Sequence, residues 1–131
     1  VTVNLALGTA TGTGGILNIQ NVFGGSGTDT LTGDSQSNIL RGNGGDDVII
    51  AYGVRGHNSP VTNLFIDGGA GNDRIWGGDG DDVILGGSGD DVIFGGKGAD
   101  VIVGGAGADE LHGGPGTDVF DDDSLDTVFD P

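Results

Sequence analysis

Large apolar residues recur at every ninth position in the second half of the chain: Ile75, Ile84, Ile93, Ile102, Leu111 and Phe120. They sit in six tandem segments, GGAGNDRIW, GGDGDDVIL, GGSGDDVIF, GGKGADVIV, GGAGADELH and GGPGTDVFD, which run from Gly68 to Asp121. Glycine fills places one, two and four of each segment, aspartate fills place six, and the apolar residue fills place eight. The last three places are β-favouring, as in Val83-Ile84-Leu85 and Val101-Ile102-Val103. Side chains alternate across a strand, so place eight points one way and places seven and nine the other. One such strand cannot bury its single apolar residue, but a stack of them can. The period therefore predicts a solenoid. GGxGxD is too rich in glycine to extend regularly and predicts a turn.

The same frame accounts for an earlier run. GGSGTDTLT from Gly24 fits fully, with Asp29 and Leu31. GDSQSNILR is degenerate, with Asn38 at place six and Leu40 at place eight, and GNGGDDVII fits again with Asp47 and Ile49. Ala51 to Asp67 breaks the frame; its 17 residues are one short of two repeats. We expect the solenoid to continue through it as one irregular coil that keeps Ile66 in the core. A metal-free loop is expected from about Gly53 to Thr62, around Tyr52, Arg55, His57 and Pro60, either as a contact loop or as a tolerated insertion. Val1 to Leu7 alternates and predicts a half-buried strand. Gly8 to Gly15 predicts a turn, and Ile16 to Phe23 a second strand region. Beyond the last repeat, Leu125, Val128 and Phe129 are expected to supply a final apolar layer, and Asp121, Asp122, Asp123 and Asp126 are expected to be mostly solvated, with a terminal site as the alternative. The layout is a single domain over 1–131: an N-terminal cap (1–23), a first run (24–50), an insertion (51–67), a main run (68–121) and a C-terminal cap (122–131).

Composition narrows the class. Only 34% of the residues are hydrophobic and 31 are glycine, which suits a thin, quasi-one-dimensional core. The net charge of −16, with four Lys plus Arg, argues against nucleic acid and anionic membrane surfaces and for cations. There is no cysteine, so disulfides are excluded. No apolar run approaches the length of a transmembrane helix. The start, VTVNLALG, lacks the basic region and length of a signal peptide.

Stacked turns would place each place-six carboxylate about 4.8 Å from its neighbour along the stack. Such a column repels unless a hard cation with oxygen ligands lies within it. Calcium accepts six to eight oxygens in flexible geometry, whereas magnesium demands a tighter octahedron and retains its waters. The acids are nearly all Asp, whose short arm suits a tight turn; only Glu110 is Glu. Place six is expected to bind metal and place five to face solvent.

The pattern GGxGxDxUx, with U apolar, resembles the hemolysin-type calcium-binding nonapeptides of the RTX (repeats-in-toxin) family. The resemblance implies an all-β, right-handed parallel β-roll in which two nonapeptides make one coil. It also implies calcium between turns two repeats apart on one edge. Carried over, one edge pairs Asp73, Asp91 and Asp109, and the other pairs Asp82, Asp100 and Asp118. Asp29 and Asp47 could share an ion, and Asn38 offers a neutral, weaker oxygen. In the family, glycine carbonyls complete the shell. Here those of places two and four are favoured: Gly69, Gly71, Gly78, Gly80, Gly87, Gly89, Gly96, Gly98, Gly105 and Gly107. About four to six calcium ions are expected, since a site needs aligned turns on both sides. The resemblance further implies a module that folds on binding calcium, within a larger secreted, extracellular protein of bacterial type. Type I export of an unfolded chain goes with it. We find no convincing C-terminal export signal here, so the chain looks like a piece of a larger protein.

Nothing in the chain predicts catalysis. His57 and His112 lie in the insertion and at an outward strand place, and no HExxH, GxSxG or P-loop occurs. The acid pairs Asp81-Asp82 and Asp90-Asp91 are explained by the repeat rather than by glycosidase chemistry. Trp76, Phe94 and His112 line one outward face, with Leu85 and Val103 on the other. Place seven adds Val83, Val92 and Val101. These could contact a flanking domain, a second copy or a polysaccharide, or reflect ordinary β-propensity. An adhesin-like module using that face or the 51–67 loop is the alternative function; an enzyme with its chemistry on an absent domain is another. Ice binding lacks the Thr ladder it would need.

Overall fold

The computed structural model describes residues 1–5, 7–11, 19–34, 38–51, 63–121 and 123–130. The described residues form strands and turns, with no helix. In chain order the strands are β1 Thr2–Asn4, β2 Thr9–Ala10, β3 Asn21–Phe23, β4 Thr30–Thr32, β5 Ile39–Gly44, β6 Val48–Ile50 and β7 Phe65–Ala70. There follow β8 Arg74–Asp79, β9 Val83–Ser88, β10 Val92–Lys97, β11 Val101–Ala106, β12 Glu110–His112, β13 Val119–Asp121 and β14 Thr127–Phe129. From β2 onward, successive strands alternate between two sheets. One runs β14-β12-β10-β8-β6-β4-β1-β2 and the other β13-β11-β9-β7-β5-β3. Every pairing is parallel except β1 with β2. This is a parallel β-roll, as expected.

Register comes from place eight. Ile75, Ile93 and Leu111 pair in one sheet, and Ile66, Ile84 and Ile102 in the other. Leu31, Leu40 and Ile49 extend these columns, and all nine side chains are fully buried. The core is thus one apolar side chain per strand, repeated along the stack. A one-residue slip would turn every one of them outward, so the pattern fixes the register strongly.

The insertion departs from the expectation. Equivalent residues within the main run lie 18 apart along the chain, as the Asp73 to Asp91 contact shows, but Asp47 contacts Asp73 across 26. Segment 51–67 is therefore one enlarged nonapeptide rather than an irregular coil of two. Ala51 stands at place one, its N–H donating to the Trp76 carbonyl just as that of Gly33 donates to Ile50. Asn63 to Asp67 supply places five to nine, and Ile66 holds its core position as predicted. The near-equality of 17 with two repeats concealed this. Residues 52–62, which include the predicted loop with Tyr52, Arg55, His57 and Pro60, lie outside the described residues.

The ends also differ from their expectations. The first strand is only Thr2–Asn4; Val3 pairs with Leu31, but Val1 and Leu7 are exposed. The alternation stops because the chain turns after Asn4, whose side chain accepts the Leu7 N–H. Thr9–Ala10, predicted as turn, then lies antiparallel on β1 and covers its free edge. Of the region 16–23 only Asn21–Phe23 is strand among the described residues. At the other end Val128 packs on the core, whereas Leu125 is 64% exposed. A turn held by the Leu125 N–H on the Asp123 carboxylate aims it outward. Asp122 lies outside the described residues.

Outward place nine forms a ladder of rings. Trp76, Phe94, His112 and Phe129 stack in turn, with centroids 5.8, 4.5 and 4.5 Å apart and planes within 12° of parallel. Each ring covers its neighbour's face, so mainly edges meet solvent. Sugar rings dock on free aromatic faces, and the ladder offers few. On the opposite sheet the Arg41 guanidinium lies between the Phe23 and Phe65 rings, 5.8 and 5.6 Å from their centroids.

Candidate metal centre

Each turn delivers its place-six side chain inward, at the corner where one strand ends and the next begins. Asp29, Asp47, Asp73, Asp82, Asp91, Asp100 and Asp109 are only 1 to 3% exposed, and Asn38 is 2% exposed. Asp118 is half-buried. One edge of the roll stacks Asp29, Asp47, Asp73, Asp91 and Asp109; the other stacks Asp82, Asp100 and Asp118. The two edges are those the sequence implied, and the first extends back across the insertion. Within a column each Oδ1 accepts the backbone N–H of the preceding place six, at 2.8 Å for Asp91 on Asp73 and 2.9 Å for Asp100 on Asp82.

The second oxygen is where the chemistry lies. Oδ2 of Asp47, Asp73, Asp82, Asp91, Asp100, Asp109 and Asp118 is buried with no hydrogen-bond partner. Leaving a buried carboxylate oxygen without a donor is costly. The flanking backbone adds further acceptors. The ten glycines named above, at places two and four, all have φ between +107° and +148°. At Gly87 and Gly89 a Cβ would collide with the carbonyls of Gly69 and Gly71 on the preceding coil. A Cβ on Gly68 would meet both Asp73 Oδ2 and the place-one carbonyl of Gly86, so these two oxygens converge on one spot. Oxygen acceptors converge with few donors, as a hard cation requires. Among the described residues no three acidic or imidazole side chains meet at one point, so carbonyls must supply much of any shell. Two of the cationic side chains are engaged elsewhere: Lys97 pairs with Asp79 at 2.9 Å and Arg41 with Asp67 at 3.7 Å.

Burial pushes the Asp82 and Asp91 carboxyls up to about 7 and Asp73 up to about 6. The donated N–H groups of Leu64, Asp73 and Asp47 oppose the rise, and the neighbouring carboxylates add to it. Asp47, Asp100 and Asp109 are raised for the same leading reason. A carboxyl with a higher pKa folded than unfolded binds more protons when folded. It favours the roll at low pH and withdraws that support as pH rises from about 4 to about 7. In metal-free buffer the β signal in circular dichroism is thus expected to grow as pH falls from 7.5 to 5. A signal that shrank over that range would contradict these burials.

Four residues differ from the expectation. Leu64 occupies a place six: its N–H donates to Asp82 Oδ1 at 3.0 Å, and its side chain is 3% exposed. The second edge therefore has no carboxylate between Asn38 and Asp82. Asn38 is self-contained, exchanging hydrogen bonds with Asp34. Asp126, for which solvent was expected and a terminal site was the alternative, joins the first column, its Oδ1 accepting the Asp109 N–H at 3.1 Å and its Oδ2 the Asp123 N–H at 2.8 Å. The string Asp126-Thr-Val-Phe129 carries the D-x-U-x ending of the repeat, which could have revealed it. Asp29 is likewise satisfied, by the Val1 nitrogen on Oδ1 and the Gly25 N–H on Oδ2. Both ends of the first column thus close on nitrogen donors, and the orphan oxygens lie between them.

A two-sheet parallel roll whose turns aim buried carboxylates and carbonyls at one another defines a cation-binding solenoid. The family model for the RTX calcium-binding nonapeptide repeat matches residues 23–53, 65–93 and 85–120, well over half of the chain. The chain belongs to that family, and its repeats form a structural calcium-binding module. A comparison with the curated proteins finds no match.

Proposed function

We propose that this chain is a calcium-dependent folding module of a larger secreted protein, exported unfolded and ordered outside the cell where calcium is plentiful. The observation that carries this reading is the set of seven buried carboxylate oxygens without a donor. On one edge Asp47, Asp73, Asp91 and Asp109 would hold the ions, and on the other Asp82, Asp100 and Asp118. Carbonyls of the glycines at places two and four would complete the shells. Bound calcium supplies the positive charge that lets these oxygens stay ionised and buried. The protein's part is to present them in register, through the place-eight core and the Oδ1 contacts. Asp29 and Asn38 contribute less, since their side-chain oxygens are already engaged. We expect about four to six ions, one for most adjacent pairs of ligand-bearing turns. The secreted setting rests on what is typical of RTX proteins.

Calorimetric titration tests the reading. Calcium is expected to bind at several sites, and magnesium at least tenfold more weakly. Asp91→Asn should remove one or two sites while leaving the rest. Equal responses to the two metals, or unchanged stoichiometry in Asp91→Asn, would count decisively against it.

A further inference from the structure

Beside each buried place-six carboxylate stands an exposed place-five residue, for which the repeat specifies no type. Its hydrogen bonds run the opposite way. Asn72 Oδ1 accepts the Asp90 N–H at 3.0 Å, while Asp91 Oδ1 accepts the Asp73 N–H at 2.8 Å. One coil thus reaches forward with place five and the next reaches back with place six. The same reciprocal pair joins Asp46-Asp47 to Asn72-Asp73, spanning the insertion. It recurs between Asp90-Asp91 and Ala108-Asp109. On the other edge it links Asn63-Leu64 to Asp81-Asp82, where place six has no carboxylate to offer in the earlier coil. The forward arm therefore forms with or without a carboxylate beside it, and with Asn as well as Asp. It stops where alanine takes place five, at Ala99 and Ala108, which accept nothing through their side chains.

We infer that the place-five Asp and Asn side chains are positioning residues: a clasp, built without any cation, that fixes the spacing of successive turns and so sets the gap between place-six carboxylates. This role rests on the calcium reading for its consequence but not for its existence. The need is physical. Stacked ionised carboxylates repel, and the resulting splay would be largest in the glycine-rich turns, where the apolar column gives no hold. A pair of opposed hydrogen bonds resists both separation and sliding of the turns. The acceptor is an oxygen, so charge is incidental; this separates a clasp from a metal ligand or an attractor of cations.

The test compares Asp90→Ala with Asp90→Asn in the full chain. Hydrogen exchange of the Ala108 amide is followed in the folded protein, together with the calcium midpoint of folding. Asp90→Ala is expected to speed exchange at Ala108 and to raise the midpoint roughly threefold to tenfold. Asp90→Asn keeps an oxygen acceptor and is expected to restore both. Unchanged exchange in Asp90→Ala would overturn the proposal. So would an Asn variant as impaired as the Ala one, since that would assign the residue to charge or ligation. As a second arm, Ala99→Asn adds an acceptor opposite Thr117 and is expected to slow exchange there; no gain would also count against the clasp. Exchange is read in the folded roll whichever ion stabilises it, so failure of the calcium reading and failure of the clasp give different results.

Discussion

In excess chelator at neutral pH the chain is expected to lose its β-sheet signal entirely and to expand to coil dimensions. The seven orphan oxygens lie in a body carrying a net charge of −16, with a core one side chain thick. Each buried, unpaired charge opposes folding by kilocalories, and the columns bring like charges together. A ligand bound only by the folded state stabilises it by about 2.7 kcal/mol per site at a hundredfold excess over Kd. Several sites together match or exceed the 5–15 kcal/mol that separates ordinary folded and unfolded domains. Removing them leaves no margin. Circular dichroism and small-angle scattering during calcium titration would show a cooperative, reversible transition, which magnesium fails to reproduce. A β-rich, compact chain in chelator would mean that the roll stands without metal and that the orphan oxygens are satisfied by protons or water.

The second large effect is expected from a single methyl group. In Gly87→Ala the new Cβ would collide with the Gly69 carbonyl of the preceding coil, at a residue whose φ is +120°. Strained backbone and overpacking each cost about 1–3 kcal/mol. The sum, about 2–6 kcal/mol, is a large part of the stability of a small domain. Shifting the backbone to relieve the clash would also move carbonyls proposed as ligands. Gly27→Ala is the control: it is a turn glycine of an early repeat, at place four rather than two, and nothing lies within 4 Å of its added Cβ. Denaturant melts at saturating calcium should show a marked loss for Gly87→Ala and little for Gly27→Ala. Equal losses would sink the close-approach account, since the unfolded chain's entropy alone makes Gly→Ala stabilising.

Most of this architecture was legible because one short rule is repeated. Asp at place six and an apolar residue at place eight specify turn, strand, face and partner together, and six uninterrupted copies leave little freedom. What escaped were the places where the rule is satisfied by position rather than by residue type. Leu64 sits in the carboxylate column because Ile66 fixes the register, not because leucine resembles aspartate. Asp126 joins its column although the glycines that announce a turn are gone. The extent of the insertion was ambiguous because 17 residues could be two short repeats or one long one, and only strand pairing decides. The opposed hydrogen bonds of place five were hidden for another reason: direction along a stack has no signature in a single strand.

The coils are stacked so that the first and last strands of the roll lie at opposite ends of each sheet. A force applied between those ends therefore loads one junction at a time, along its hydrogen bonds, and opens it like a zipper. An opened coil of the main run releases 18 residues, and the one that holds the insertion 26. At about 3.3–3.6 Å per residue, these correspond to steps of roughly 60 Å and 90 Å. Under tension between two anchored neighbours, the module would lengthen in discrete increments and shorten again as calcium re-seats each turn. With calcium bound as proposed, the force at which it yields would follow the calcium concentration around it.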